Sequence, residues 1–134
     1  MSGQDSMENM AIISIGSNID ADINITRMIS LLRQYMHITA ISPLARTSPV
    51  GMTNQPDYTN GAVRIITHLD KDQLKKILKR IEDDLGRDRS LPAFGPRTMD
   101  LDIVVWNNKI VDDDYHTRDF LRKSVDYLWP IQGA

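Results

Sequence analysis

From Asp100 to Ile103 the chain alternates charged and apolar residues, Asp-Leu-Asp-Ile. An extended strand sorts such a run, because residues two apart share a face. Asp100 and Asp102 then stand side by side, while Leu101 and Ile103 enter the layer on the opposite side. The fold must therefore contain a sheet with at least one buried face, and that sheet must accommodate two like charges as neighbours. Neighbouring carboxylates are tolerated when they share a proton, face an arginine or hold a divalent cation. Gly95-Pro96 shape a turn that sets where Arg97 points, and Arg97 supplies one positive charge against two negative ones. A magnesium and phosphate site is the sharper reading of this segment. A solvated edge strand with two ordinary aspartates is the plainer one.

Hydrophobic periodicity orders the rest. Met10 to Ile15 is a nearly continuous apolar run closed by Gly16-Ser17-Asn18, the pattern of a buried central strand ending in a turn. Ile25, Met28, Ile29, Leu32 and Met36 recur at helical spacing and predict a first helix over Ala21 to Tyr35. His37 to Thr47 is β-branched and alternating, with Pro43 restricting it to an edge or a bulge. Tyr58 to Leu69 reads as the clearest strand, with Val63, Ile65, Thr67 and Leu69 on one face and Arg64 and His68 on the other. A second helix is predicted from Lys71 to Leu85. Asp70 and Gln73 cap its start, Leu74, Ile77, Leu78, Ile81 and Leu85 form its stripe, and Gly86 offers its stop. Arg87 to Pro96 reads as a polar loop and Asp100 to Trp106 as the fourth main strand. Strand, helix, strand, strand, helix, strand is the order of an α+β, ferredoxin-like two-layer sandwich, a βαββαβ core with an antiparallel sheet.

At 134 residues the chain has the size of one domain with a single core, and no repeat or linker marks a second. A net charge of -2, with no lysine-rich run, argues against a general nucleic-acid binder or a membrane-surface protein. A ferredoxin-like sheet that binds RNA needs aromatics on its central strands and a basic surround, and this sequence has neither. Zero cysteines exclude disulfides and thiolate metal sites. No apolar stretch approaches the roughly 20 residues of a membrane span. The polar start MSGQDSMEN lacks the basic and apolar parts of a signal peptide, so residues 1–9 read as a flexible tail and the expected location is the cytoplasm.

The run FGPRTMDLDIVVW, from Phe94 to Trp106, resembles the signature segment of the 6-hydroxymethyl-7,8-dihydropterin pyrophosphokinases. These folate-pathway enzymes move pyrophosphate from ATP to a pterin alcohol. Ala11 to Asn18 resembles the family's opening strand and turn, and Arg46 to Asn60 its substrate-pocket segment. Glu82 to Arg89 is similar to its helix end followed by two spaced arginines. The resemblance implies the same α+β architecture, ATP as co-substrate, two Mg2+ ions held by Asp100 and Asp102, small-molecule partners only, and a monomer. Arg87, Arg89 and Arg97 join the two aspartates as the implied catalytic set. The implied nucleotide site is Glu82, Arg89, Phe94, Arg97 and Ile103, and the implied pterin pocket Thr47, Val50, Gly51, Tyr58, Asn60 and Phe94. Read on the sequence alone, Glu82 is equally compatible with a surface position on its helix, and Tyr58 and Val50 with plain core packing. His37 and His68 lack ligand partners at recognisable spacing and read as ordinary strand histidines.

Some positions depart from the family. Phe94 stands where it usually carries a tryptophan, and Ala93 where it commonly carries a basic residue. Counting back from Trp129-Pro130, the expected nucleotide-site histidine falls at Arg118, the expected arginine at Ser124, and the pterin-stacking phenylalanine at Asp126. His116, Arg122 or Tyr127 are the neighbours that could take over those roles. The competing expectations are a paralogue acting on another alcohol and a non-catalytic protein that binds nucleotide or pterin.

Overall fold

The computed structural model of the chain describes residues 7–18, 20–47, 57–85 and 99–129. Along them run β1 (Asn9–Ser17), α1 (Ala21–Tyr35), β2 (His37–Ile41), β3 (Ala45–Thr47) and β4 (Tyr58–Thr67). There follow α2 (Lys71–Asp84), β5 (Asp100–Trp106), β6 (Lys109–Ile110), α3 (Asp114–Thr117) and α4 (Asp119–Leu128). The strands form one antiparallel sheet in the order β2-β4-β1-β5-β6, with β3 also pairing β4. The protein is α+β, with helices packed on that sheet.

Strand β1 is central because it is apolar on both sides. Its Ile13 and Ile15 join Val63 and Ile65 of β4 and Leu101 of β5 beneath Met28 and Leu32 of α1 and Leu74, Leu78 and Ile81 of α2. On the reverse face Ile12, Ala62, Val104 and Val105 pack under Leu121, Val125 and Leu128 of α4. To the two layers expected from the sequence, α4 adds a third. The register of β1 against β5 shifts between Ile12 and Ile13, so that Ile13 faces Ile103, Ile12 faces Val105, and Val104 is the extra residue of a bulge. The bulge lets Val104 and Val105 both enter the α4 cluster.

The expected elements are present with shifted ends. Gly16 and Ser17 continue β1 rather than turning, since both pair with β4, and Asn9 belongs to β1 rather than to a tail because it pairs with Thr67. His37 to Thr47 is divided at Ser42-Pro43-Leu44 into two short strands that both pair with β4. Strand β4 ends at Thr67, whose hydroxyl accepts the Leu69 N–H at 3.1 Å and bends the chain away. At the start of α2, the Asp70 carboxylate accepts the Gln73 N–H at 2.8 Å and the Gln73 side chain accepts the Asp70 N–H at 2.9 Å. Gly86 lies outside the described residues.

Beyond Trp106 the chain makes a hairpin turn through Asn107 and Asn108, at φ 48° and 67°, the left-handed values that asparagine tolerates best after glycine. Helix α4 is tied back to the sheet by Arg64, whose guanidinium donates to Thr39 Oγ1 at 2.9 Å and to the Leu128 carbonyl at 2.6 Å. The Trp129 indole donates to Asn108 Oδ1 at 3.1 Å. No helix among the described residues is long and apolar enough to cross a membrane. Arg64→Met keeps the aliphatic stem and removes both hydrogen bonds. Urea unfolding should show a loss of about 1.5–3 kcal/mol, the usual scale for bonds to a charged donor. An unchanged midpoint at constant slope would mean that apolar contacts alone seat α4.

Candidate active site

Two ladders on β1 assemble the site. Gly16 pairs with Asn60 on one side and Asp100 on the other, and one step along, Ser14 pairs with Ala62 and Asp102. Cross-strand partners share a face, so Asn60, Gly16 and Asp100 form one row, with Ser14 and Asp102 in the next. Leu101, between the two aspartates, is buried in the opposite layer, and Ile103 packs against that same cluster. Glu82 fixes this stretch: its carboxylate accepts the Leu101 N–H at 2.8 Å. It is only 4% exposed, which overturns the surface alternative for this residue.

Gly16 is needed for close approach. A Cβ there would lie 2.8 Å from Asn60 Oδ1. On its other side the Asn60 amide donates to Thr47 Oγ1 at 2.6 Å, so the amide plane is held between β1 and β3. Tyr58, two residues before Asn60 on β4, is half-buried and on the same face by strand alternation.

Two recesses meet at this sheet end. A cleft of about 780 Å³ is bordered by Lys75, Lys79 and Glu82 of α2 and by Asp102, Ile103 and Asp112. It falls within the roughly 300–1,000 Å³ typical of small-molecule pockets. A narrow cavity of about 80 Å³ is bordered by Gly16, Asn60, Asp100, Asp102, Phe120 and Ser124. Asp102 and Asp112 border both. Among the described residues no group of three or more His, Cys, Asp or Glu side chains forms a metal cage. Two carboxylates on one side of a strand at the edge of a cavity suit Mg2+, which takes one or two of them and completes its octahedron with water and phosphate oxygens. The same set is a poor match for zinc, which prefers four nitrogen or sulfur ligands in structural sites.

The expected residues Asp100, Asp102 and Asn60 are thus brought together, Thr47 supports Asn60, and Glu82 and Ile103 border the larger cleft. Arg87, Arg89, Phe94, Arg97, Val50 and Gly51 lie outside the described residues. Arg118 and Ser124 border the narrow cavity. Asp126 does not. It is exposed and accepts a hydrogen bond from the Tyr115 hydroxyl, which raises the Tyr115 pKa above the usual phenol value. None of His116, Arg122 and Tyr127 borders the cavity either; Tyr127 is 64% exposed, and Arg122 pairs with Asp119. His68 hydrogen-bonds the Met7 carbonyl at 3.1 Å, away from the site.

Sequence reasoning missed Gly16 as a site element because Gly-Ser-Asn reads as a turn. It also missed Asp112, Asp114 and Phe120, which reach the cavity through the connection after β6 and the start of α4. The one available signal was the spacing of Leu121, Val125 and Leu128, which marks a helix able to cover the sheet.

The family model described as 7,8-dihydro-6-hydroxymethylpterin-pyrophosphokinase matches residues 12–130. A 2-amino-4-hydroxy-6-hydroxymethyldihydropteridine pyrophosphokinase of Bacillus subtilis is 37% identical over 111 residues, covering 81% of this chain and 66% of its own. One from Haemophilus influenzae is 34% identical over 123 residues, covering 83% of this chain and 76% of its own. A folate synthesis bifunctional protein of Arabidopsis thaliana is 36% identical over 105 residues, covering 76% of this chain and 22% of that much longer protein.

Gly16→Ala should push the Asn60 amide off Thr47 while leaving the sheet intact. The expected cost is below about 1 kcal/mol, since only the end of one side chain must move. In a nitrogen-proton correlation spectrum the Asn60 side-chain signals should shift markedly. Signals that stay in place would contradict the close approach at Gly16.

Proposed function

The chain belongs to the 7,8-dihydro-6-hydroxymethylpterin-pyrophosphokinase family, and from that membership we propose that it transfers pyrophosphate from ATP to the hydroxymethyl group of 6-hydroxymethyl-7,8-dihydropterin, releasing AMP, in folate biosynthesis. The observation that carries the reading is the row of Asn60, Gly16 and Asp100, with Asp102 beside it, where two recesses meet. A two-substrate transfer needs two adjoining pockets with the charge-handling groups at their junction, and Asp102 borders both. The core order β1, α1, β2, β4, α2, β5, with the sheet order β2-β4-β1-β5, supports the ferredoxin-like βαββαβ arrangement. The same reading takes the protein as a cytoplasmic monomer.

The nucleotide belongs in the larger cleft, against Ile103, with Glu82 anchoring β5 from below. Its triphosphate carries roughly four negative charges near neutral pH, so an approaching oxygen is repelled until cations are near. Asp100 and Asp102 are the residues that would hold Mg2+, two ions in this reading. When bound, the metal draws charge from phosphate oxygens and makes the acceptor hydroxyl easier to deprotonate. Arg87, Arg89 and Arg97 are assigned to the triphosphate, since guanidinium groups make paired hydrogen bonds to phosphate. The acceptor enters on the Asn60 side. There the side-chain amide offers a donor and an acceptor to the amide-like edge of the pterin, with its plane held by Thr47.

Asp100→Ala and Asp102→Ala should each lower pterin-dependent AMP release by at least about a hundredfold, the scale of losing a preorganised electrostatic group. Far-ultraviolet dichroism should remain that of the folded chain, and His68→Ala should turn over normally. Full turnover in either aspartate variant would remove the metal assignment. Absence of AMP release from the unaltered protein, with pterin, ATP and Mg2+ present, would remove the function.

A further inference from the structure

We infer that Asp112 is a positioning residue for the metal: its carboxylate accepts hydrogen bonds from water carried by the Mg2+ that Asp100 and Asp102 would hold. The inference rests on the proposed metal and phosphate site and adds a residue to it. Among the described residues bordering the two recesses, only Asp102 and Asp112 border both. The β5–β6 hairpin brings them together. Ile110 pairs with Val105, and the Val111 N–H donates to the Val104 carbonyl at 2.8 Å, so the chain runs back alongside β5 toward Asp102 as it reaches Asp112.

The side chain is held before any ligand arrives, so little ordering cost falls on binding. Its Oδ1 accepts the Asp114 N–H at 3.0 Å, and the Asp112 carbonyl accepts the Tyr115 N–H at 3.1 Å. Tyr115 is in turn fastened to α4, its hydroxyl donating to Asp126 and its ring standing edge-on to Trp129. Asp114 is engaged with Arg118, at 3.7 Å between Oδ2 and Nε. Asp112 is in no ion pair among the described residues, although Lys75 and Lys79 border the same cleft. Its second oxygen is left for whatever occupies the junction. Direct coordination by Asp112 does not fit, because no group of three or more potential ligand side chains among the described residues forms a metal cage. Mg2+ dehydrates reluctantly and keeps several waters when one or two carboxylates bind it. A further carboxylate beside such an ion accepts from those waters and orients what the inner ligands hold.

The test reads metal dependence by binding as well as by turnover, on the full-length protein. An ATP analogue with a methylene bridge between the α- and β-phosphorus, which cannot release AMP, is titrated calorimetrically at several Mg2+ concentrations. Asp112→Asn keeps an oxygen for the Asp114 N–H but offers the junction a donor in place of an acceptor. The Mg2+ concentration that half-saturates analogue binding should rise about 10- to 100-fold, the usual effect of losing a partner to a metal's inner shell. Saturating Mg2+ should restore the affinity. The Mg2+ requirement of pterin-dependent AMP release should rise by the same factor, with kcat near that of the unaltered protein once Mg2+ saturates. Asp113, one residue on, borders the larger cleft alone. Asp113→Asn should shift either requirement less than about fivefold, the scale of an exposed charge. Thermal melting establishes that each variant is folded; if the Asp112→Asn protein is not, Asp112→Ser, whose hydroxyl can cap the same N–H, serves in its place. A Mg2+ requirement that stays unchanged, or a loss of affinity that saturating Mg2+ does not restore, overturns the role of Asp112 and leaves the proposed function standing. Analogue binding by the unaltered protein that does not depend on Mg2+ overturns the metal assignment and this inference together, and an unaltered protein that also releases no AMP overturns the function as well.

Discussion

Strand β1 is hydrogen-bonded along both edges, to β4 and to β5, and the register of those two ladders governs what can meet at the site. A slip of one residue in either ladder would turn every side chain of the slipped strand to the other face. That slip is opposed by burial, because Ile13, Ile15 and Leu101 would leave a closed apolar layer. Each fully buried aliphatic side chain contributes about 1.5–3 kcal/mol, so the penalty is several times the free energy of any one contact at the site. The geometry of the polar row is therefore maintained from behind, by hydrocarbon on the opposite face of the sheet. Asn60, Gly16 and Asp100 need contribute little to stability themselves.

The helices divide the remaining work. Helix α2 carries the lysines bordering the larger cleft and, through buried Glu82, holds the backbone between the two aspartates. A buried carboxylate that accepts a backbone N–H is well used there, since leaving that N–H unsatisfied would cost about 1–3 kcal/mol. Helix α4 closes the reverse face and is drawn to the sheet by Arg64. The bulge at Val104 lets β5 serve both layers, with Leu101 and Ile103 toward α1 and α2 and Val104 and Val105 toward α4. Two recesses with different walls then adjoin at Asp102, an arrangement suited to bringing two unlike substrates together.

Much of this was legible in the chain. The stripe from Leu74 to Leu85 with its Asp70 cap, the alternation around Val63 and Ile65, and the Asp-Leu-Asp-Ile run each encode one element by local periodicity. Legibility failed where local signals were ambiguous. Gly16-Ser17 has turn composition, yet pairing of both with β4, and of Gly16 with β5, keeps it extended. Glu82 has surface composition, yet the N–H of Leu101 draws it inside. In α4 only Leu121, Val125 and Leu128 mark the packed side, and Phe120 becomes a site residue solely because that helix crosses the sheet beside Asn60.

The sequence by itself determined the main helices and strands as far as Trp106, which face of each is apolar, and that two carboxylates share one side of a strand. These follow from spacings of two and of three to four residues, interactions between near neighbours. Tertiary structure alone decided that Asn60 and Asp100 flank Gly16, that Asp126 faces Tyr115, and that Phe120 borders the cavity. Such meetings join residues far apart in the chain. They depend on ladder register and helix seating, which many weak apolar contacts settle together and no local pattern records.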